Sequence, residues 1–87
     1  GEAIEAAKRG DWAQARQLCE EARKSERWAS LSKREQAYLS YDLAQTRRYD
    51  LRGFRTPDER FASAEAAIRE AWRLERDPDF LRTLSAI

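Results

Sequence analysis

The chain has 87 residues with 17 basic and 16 acidic side chains, no His, no Met and one Cys, so it reads as a single small near-neutral domain. It holds 15 Ala, no Val, three Ile and three Thr, which leaves few β-branched residues for strands and makes an all-α fold the expected class. The lone Cys19 excludes an internal disulfide, and the lack of His excludes an imidazole-assisted nucleophile or an ordinary zinc site. Apolar runs of two or three residues exclude a membrane-spanning helix.

Taken in chain order, the first element is a short helix near 2–9, stopped at Gly10, where a left-handed residue can end it. Asp11, with Gln14 three residues on, can accept the free amides of a second helix near 12–26. Trp12, Ala15, Leu18, Cys19 and Ala22 follow the three-four spacing of a buried stripe there, while Glu20 and Lys24 form an i,i+4 pair elsewhere on its surface. The link at 26–30 carries Trp28, the aromatic least explained by any stripe. Two roles stay open for it, a plug in the hairpin corner or an exposed anchor for a partner.

Ser32 and Glu35 have the spacing of a capping box at the start of a long helix near 33–52. Ala37, Tyr38, Tyr41 and Ala44 make one face of it, with Leu39 and Leu43 beside them, and Gly53 is expected to end it in the left-handed conformation. Tyr41-Asp42-Leu43 recurs as Tyr49-Asp50-Leu51, about 80° round the helix, which we read as a coincidence of a wide apolar face. Thr56 and Glu59 form a second capping box, with Pro57 at the first helical position, ahead of a helix near 57–75. Its stripe is Phe61, Ala64, Ala67, Ile68, Ala71 and Trp72. Asp77 and Pro78 begin a last helix near 78–86. Small residues on both stripes predict close helix axes, near the short end of the ~8–10 Å range.

Chemistry-bearing constellations are sparse. The chain has no His, no Asn, no Gly-rich phosphate loop and no nucleophile elbow, so no catalytic activity, metal or cofactor is expected. Glu20-Glu21 and Asp58-Glu59 are adjacent carboxylates, the second suited to a helix N-terminus. Cys19 is either a reactive thiol or, at the bulky position of a stripe, a small buried hydrophobe, and burial is the expectation. Arg47, Arg48, Arg52 and Arg55 lie beside Tyr49 and Phe54, a mixture used on single-stranded nucleic acids, but Asp42, Asp50, Asp58 and Glu59 dilute it. Nucleic-acid binding is the weakest of the readings.

Trp12, Ala15, Cys19 and Ala22 fall at the same steps of three, four and three as Phe61, Ala64, Ile68 and Ala71. This spacing resembles the second helix of a tetratricopeptide repeat, with Gly10 at the inter-helix turn of the first unit. In the second unit Glu59 falls at the turn, so Gly53 takes that part only if 54–60 is an inserted loop, which makes Tyr49 the aromatic of the preceding helix. Arg27 stands where the family has a proline, Pro78 arrives two residues late, and the segment 33–52 is long for a first helix. The resemblance covers 10–22 and 49–78. It implies antiparallel hairpins stacked as a small right-handed bundle of four or five helices within one domain, 1–87.

By the same resemblance the domain is a protein-protein interaction module whose first helices line a groove for a peptide or a partner helix. Ser40, Leu43, Arg47 and Asp50 are the groove-facing candidates, and Trp28 is a further candidate for contact with the partner. With no Asn, the family's usual clamp for a chaperone's terminal carboxylate cannot be built. The alternative from another class is an assembly or self-association segment of a larger protein. A start at Gly rather than Met suggests a fragment of a longer chain, 14 Arg against 3 Lys with abundant Ala suggests a bacterial source, and the cytoplasm is the expected location.

Overall fold

Local capping chemistry sets where the helices begin. A computed structural model describes residues 2–87, in which six helices form: α1 (Glu2–Lys8), α2 (Trp12–Lys24), α3 (Arg27–Ser30), α4 (Lys33–Tyr49), α5 (Pro57–Leu74) and α6 (Pro78–Ala86). Asp11 Oδ1 accepts the Gln14 N–H at 3.2 Å ahead of α2, and Asp77 Oδ1 accepts the Asp79 N–H at 2.9 Å ahead of α6. At α4 the box is reciprocal: Ser32 Oγ accepts the Glu35 N–H and the Glu35 carboxylate accepts the Ser32 N–H, both at 3.1 Å. At α5 it is not. Thr56 Oγ1 accepts the Glu59 N–H at 3.1 Å, but the Glu59 carboxylate reaches one residue further back, to the Arg55 N–H at 3.2 Å. Each such cap stabilises its helix by about 1 kcal/mol.

The two glycines that sequence reading treated alike differ. Gly10 has φ +77°, and the Asp11 N–H bonds to the Ala6 carbonyl while the Gly10 N–H bonds to that of Ala7, both at 2.9 Å. This pair of bonds is the Schellman arrangement, in which a left-handed residue satisfies the last carbonyls of the helix. Gly53 does not take the left-handed conformation, and α4 ends earlier, at Tyr49. Its small size is what matters, because a Cβ there would overlap the Asp50 carboxylate and crowd the Arg16 guanidinium.

The largest helix-helix interface joins α4 and α5; α2 packs on α1 and on α4, and α6 packs on α5. Ala37 and Ala44 of α4 meet Ala67, Ile68 and Ala71 of α5 around the fully buried Phe80 of α6, with Tyr41, Trp72, Leu74 and Leu84 closing over them. The Phe80 ring lies 5.3 Å from Tyr38 and 5.1 Å from Tyr41, spacings at which aromatic pairs add to simple burial. The Tyr38 hydroxyl donates to Asp77 and the Tyr41 hydroxyl shares a 2.9 Å bond with that of Thr83, so α6 is held to α4 by polar contacts too.

The hairpins do not form two copies of one unit, since α1 and α2 have 7 and 13 residues whereas α4 and α5 have 17 and 18. Ala22, the last small residue of the shared spacing, is exposed, while its counterpart Ala71 is fully buried. The helices therefore give no evidence of tetratricopeptide-like repeats. Segment 26–30, read as a link, forms the single turn α3. No helix among the described residues is long and apolar enough to cross a membrane.

Replacing Gly10 with Ala forces a left-handed alanine and should cost about 1–2 kcal/mol. Gly53→Ala should cost about 1–3 kcal/mol by overpacking against Asp50. Urea denaturation of both variants checks these values; an unchanged midpoint for Gly53→Ala would show that the 50–56 loop yields freely.

Candidate functional site

Along α2, Arg16, Glu20 and Arg23 recur at four- and three-residue steps and so share a face. Across from them, Ser40, Leu43, Arg47 and Asp50 recur along α4 and its end. Glu20 is shared between Arg16 Nη1 at 3.4 Å and Arg47 Nε at 3.7 Å, and Arg16 Nε donates to Asp50 Oδ2 at 2.7 Å. Arg23 pairs with Glu70 on α5, and Arg47 Nη1 donates to the Ser63 carbonyl at 3.2 Å. Charged groups of α2, α4 and α5 thus form a ladder of two parts, Asp50–Arg16–Glu20–Arg47 and, beside it, Arg23–Glu70. Between its rungs lies a groove of about 320 Å³ lined by Glu20, Arg23, Lys24, Leu43 and Arg47.

Of the residues expected to face a groove, Leu43 and Arg47 do line this one. The expectation of open surface is corrected for three: Ser40 is 0% exposed, Leu43 1% and Asp50 3%. The cause is that α2 covers the side of α4 that the tetratricopeptide register leaves open. Leu43 forms the floor, Asp50 is engaged by Arg16, and the Ser40 hydroxyl is buried without a hydrogen-bond partner among the described residues. Trp28 is half-buried at the corner, its carbonyl accepting from Gln36 Nε2 at 2.8 Å and its ring lying 5.8 Å under the Arg23 guanidinium.

Arg47 is the unusual member of the ladder. Its side chain is 20% exposed, and its Nε has no hydrogen-bond partner among the described residues. Burial holds its pKa below the ordinary arginine value; Glu20 and, more weakly, Glu70 oppose this, while Arg23 and Arg16 add to it. The guanidinium stays charged. It is an incompletely neutralised cation at the wall of a groove. The other arginines of the sequence cluster do not join it, for Arg48 stacks over Tyr49 at 5.1 Å and Arg52 and Arg55 lie in the exposed loop.

Sequence reading missed Arg16, Arg23 and Lys24, although their spacing with Glu20 was the available signal. Glu20 turns to Arg16 and Arg47 rather than to Lys24. One member of each adjacent carboxylate pair serves local structure: Glu21 accepts from Gln17 Nε2 at 3.3 Å, and Glu59 accepts the Arg55 N–H ahead of α5. Cys19 is buried, and desolvation, aided by the charges of Asp42 and Glu20, pushes its thiol up to about 11.

Because the thiol keeps its proton at neutral pH, Cys19 should react with a maleimide about 100-fold more slowly in the folded protein than in urea. Raised above its unfolded value of 9.0, the thiol favours the fold below pH 9 and loses that contribution as pH rises toward about 11. The loss amounts to about 2–3 kcal/mol. Urea midpoints between pH 8 and 11 should therefore fall more steeply for the native chain than for Cys19→Ala; parallel curves would contradict this.

No family model, no curated protein and no solved structure matches the chain in comparisons with known proteins.

Proposed function

We propose that the domain is a protein-protein interaction module that holds an acidic segment of a partner in the groove between α2 and α4. The observation that carries this reading is Arg47, a half-buried cation with an unused Nε donor, set beside Arg23 and Lys24 in a groove where Glu20 is the one acidic lining residue. A partner carboxylate in the groove would pair with the Arg47 guanidinium and offset the unfavourable proximity of Arg16 and Arg23. Leu43 offers a narrow apolar floor, which suits an acidic residue flanked by an apolar one. Tetratricopeptide-like packing is not needed for it, because the groove is lined by α2 and α4 alone, which differ in length.

The test is a selection of random displayed peptides on the immobilised domain, followed by affinity measurement on native protein, Arg47→Ala and Arg47→Lys. Selected peptides should be enriched in Asp or Glu next to an apolar residue, and Arg47→Ala should bind them at least about tenfold more weakly. Arg47→Lys, which keeps the charge without the planar fork, should fall between the two. Since Arg47 also bonds to Ser63, its removal should lower Tm by about 4–8 °C, corresponding to about 1 kcal/mol, and leave the helical spectrum intact. Equal binding by native protein and Arg47→Ala would refute the groove assignment. A mass that doubles with concentration, without peptide selection, would favour the self-association alternative.

A further inference from the structure

A second opening lies on the other side of α2. Helix α1 and helix α4 both pack on α2 but have little contact with each other, and the short side chains of Ala3 and Ala7 leave the space between them unfilled. The result is a cavity of about 360 Å³, within the range of small-molecule pockets. Its apolar walls are Ile4 from α1 and Trp12 and Cys19 from α2. Ile4 is 52% exposed, an apolar side chain with one flank uncovered, and Trp12 is steadied from behind by Tyr49 with ring centroids 5.0 Å apart.

The polar groups come from one face of α4, at Asp42, Gln45 and Thr46. Gln45 Nε2 is already committed to the Tyr41 hydroxyl at 3.0 Å, while its Oε1 is buried with no partner among the described residues. The Thr46 hydroxyl donates to the Leu43 carbonyl at 2.8 Å, which leaves only its lone pairs to offer. Asp42 makes no ion pair or hydrogen bond with any other described side chain. Asp42, Gln45 and Thr46 thus line the cavity from α4; the Thr46 donor is spent, one of the two Gln45 amide N–H groups is used by Tyr41, and Asp42 is the one anionic group among them. The one basic group on the lining, Lys8, stands at the rim and lies 3.8 Å from Glu5.

We propose that this cavity is a binding site for a small apolar ammonium ion of arylalkylamine type. The head group carries three N–H donors and one positive charge and needs no acceptor, which suits the Asp42 carboxylate and the Thr46 hydroxyl lone pairs. Its aromatic body lies against Ile4 and Trp12, and the protonated Cys19 presents a soft sulfur to the ring instead of a competing anion. Partial desolvation holds the Asp42 carboxylate above its ordinary range, with the terminal ammonium acting the other way, while the residue stays exposed at the mouth, so an arriving cation can reach it. The site is separate from the α2–α4 groove, and either can fail without the other.

Titration of the ¹⁵N-labelled protein with 2-phenylethylammonium, 2-phenylethanol and 3-phenylpropionate distinguishes the possibilities, since the three share a ring and differ in head group. The ammonium probe should shift the Trp12 indole and the amides of Ala7, Gln45 and Thr46, and bind about tenfold more tightly than the alcohol. Asp42→Asn should erase that preference while leaving the helical spectrum unchanged. Ala7→Leu, which fills the cavity from α1, should abolish all three titrations and spare peptide binding in the groove. Equal affinity for the ammonium and the alcohol, tighter binding of the carboxylate, no shifts with any probe, or full retention of the preference in Asp42→Asn would each overturn the proposal.

Discussion

Helix α4 has to be covered on two sides, by α5 and by α2, and this constraint decides the fate of almost every residue it carries. Its buried residues are Ala37, Ser40, Leu43, Ala44 and Thr46, which at 100° per residue sweep about half the circumference. A helix buried over so wide an arc shows a blurred apolar stripe in sequence, because small and hydroxyl side chains substitute for large apolar ones where axes come close. Ala37 and Ala44 admit α5, and Ser40 and Leu43 lie toward α2. What remains outside are Asp42 and the flanks of Gln45 and Arg47, and these residues border the two openings of the molecule.

The far end of α4 is set by electrostatics that would be unfavourable in isolation. Asp50 follows the last turn, where the helix dipole disfavours a carboxylate, and its side chain is only 4% exposed. Arg16 answers with a 2.7 Å contact to Asp50 and stacks over Phe54 at 5.2 Å, so one guanidinium ties α2 to both the end of α4 and the loop that follows. Such a pair adds little net stability, because desolvation offsets much of the attraction, yet losing one partner costs about 3–5 kcal/mol. Its effect is to fix position. Gly53 belongs to the same device, since only a residue without Cβ leaves room for the carboxylate.

Helix starts were legible in the sequence because capping is local chemistry: Asp11, Ser32, Thr56 and Asp77 each hold the amide that their spacing assigns, or one a residue nearer. The faces of α4 were not legible, because nothing local says which neighbour covers them. The echoed triplet shows why. Leu43 is 1% exposed and Leu51 69%; Asp50 is buried on Arg16 while Asp42 borders a cavity. Identical residues eight positions apart differ because the second copy lies about 80° round the helix axis, beyond the last turn. Of the proposed groove, Leu43 and Arg47 could be found from their spacing, but Arg16 and Arg23 required knowing that α2 faces them. The cavity beside α1 left no sequence signal, being defined by side chains too short to fill it.

A net charge of +1 conceals a separation of charge across α2. On one side Arg23, Lys24 and Arg47 outweigh Glu20; on the other, Asp42 is the one acidic and Lys8 the one basic side chain of the lining. The separation follows from helix geometry, because Asp42 and Gln45 point to one flank of α4 while Leu43 and Arg47, one and two residues on, point to another. Under the two proposals an anion would go toward the arginines and a cation toward Asp42. A field of this kind decays over about 8–10 Å at physiological salt, so the charges of one opening act weakly at the other. Two surfaces of opposite preference on one small domain make occupation of one compatible with occupation of the other, and the shared wall, α2, is the element through which any coupling between them would have to pass.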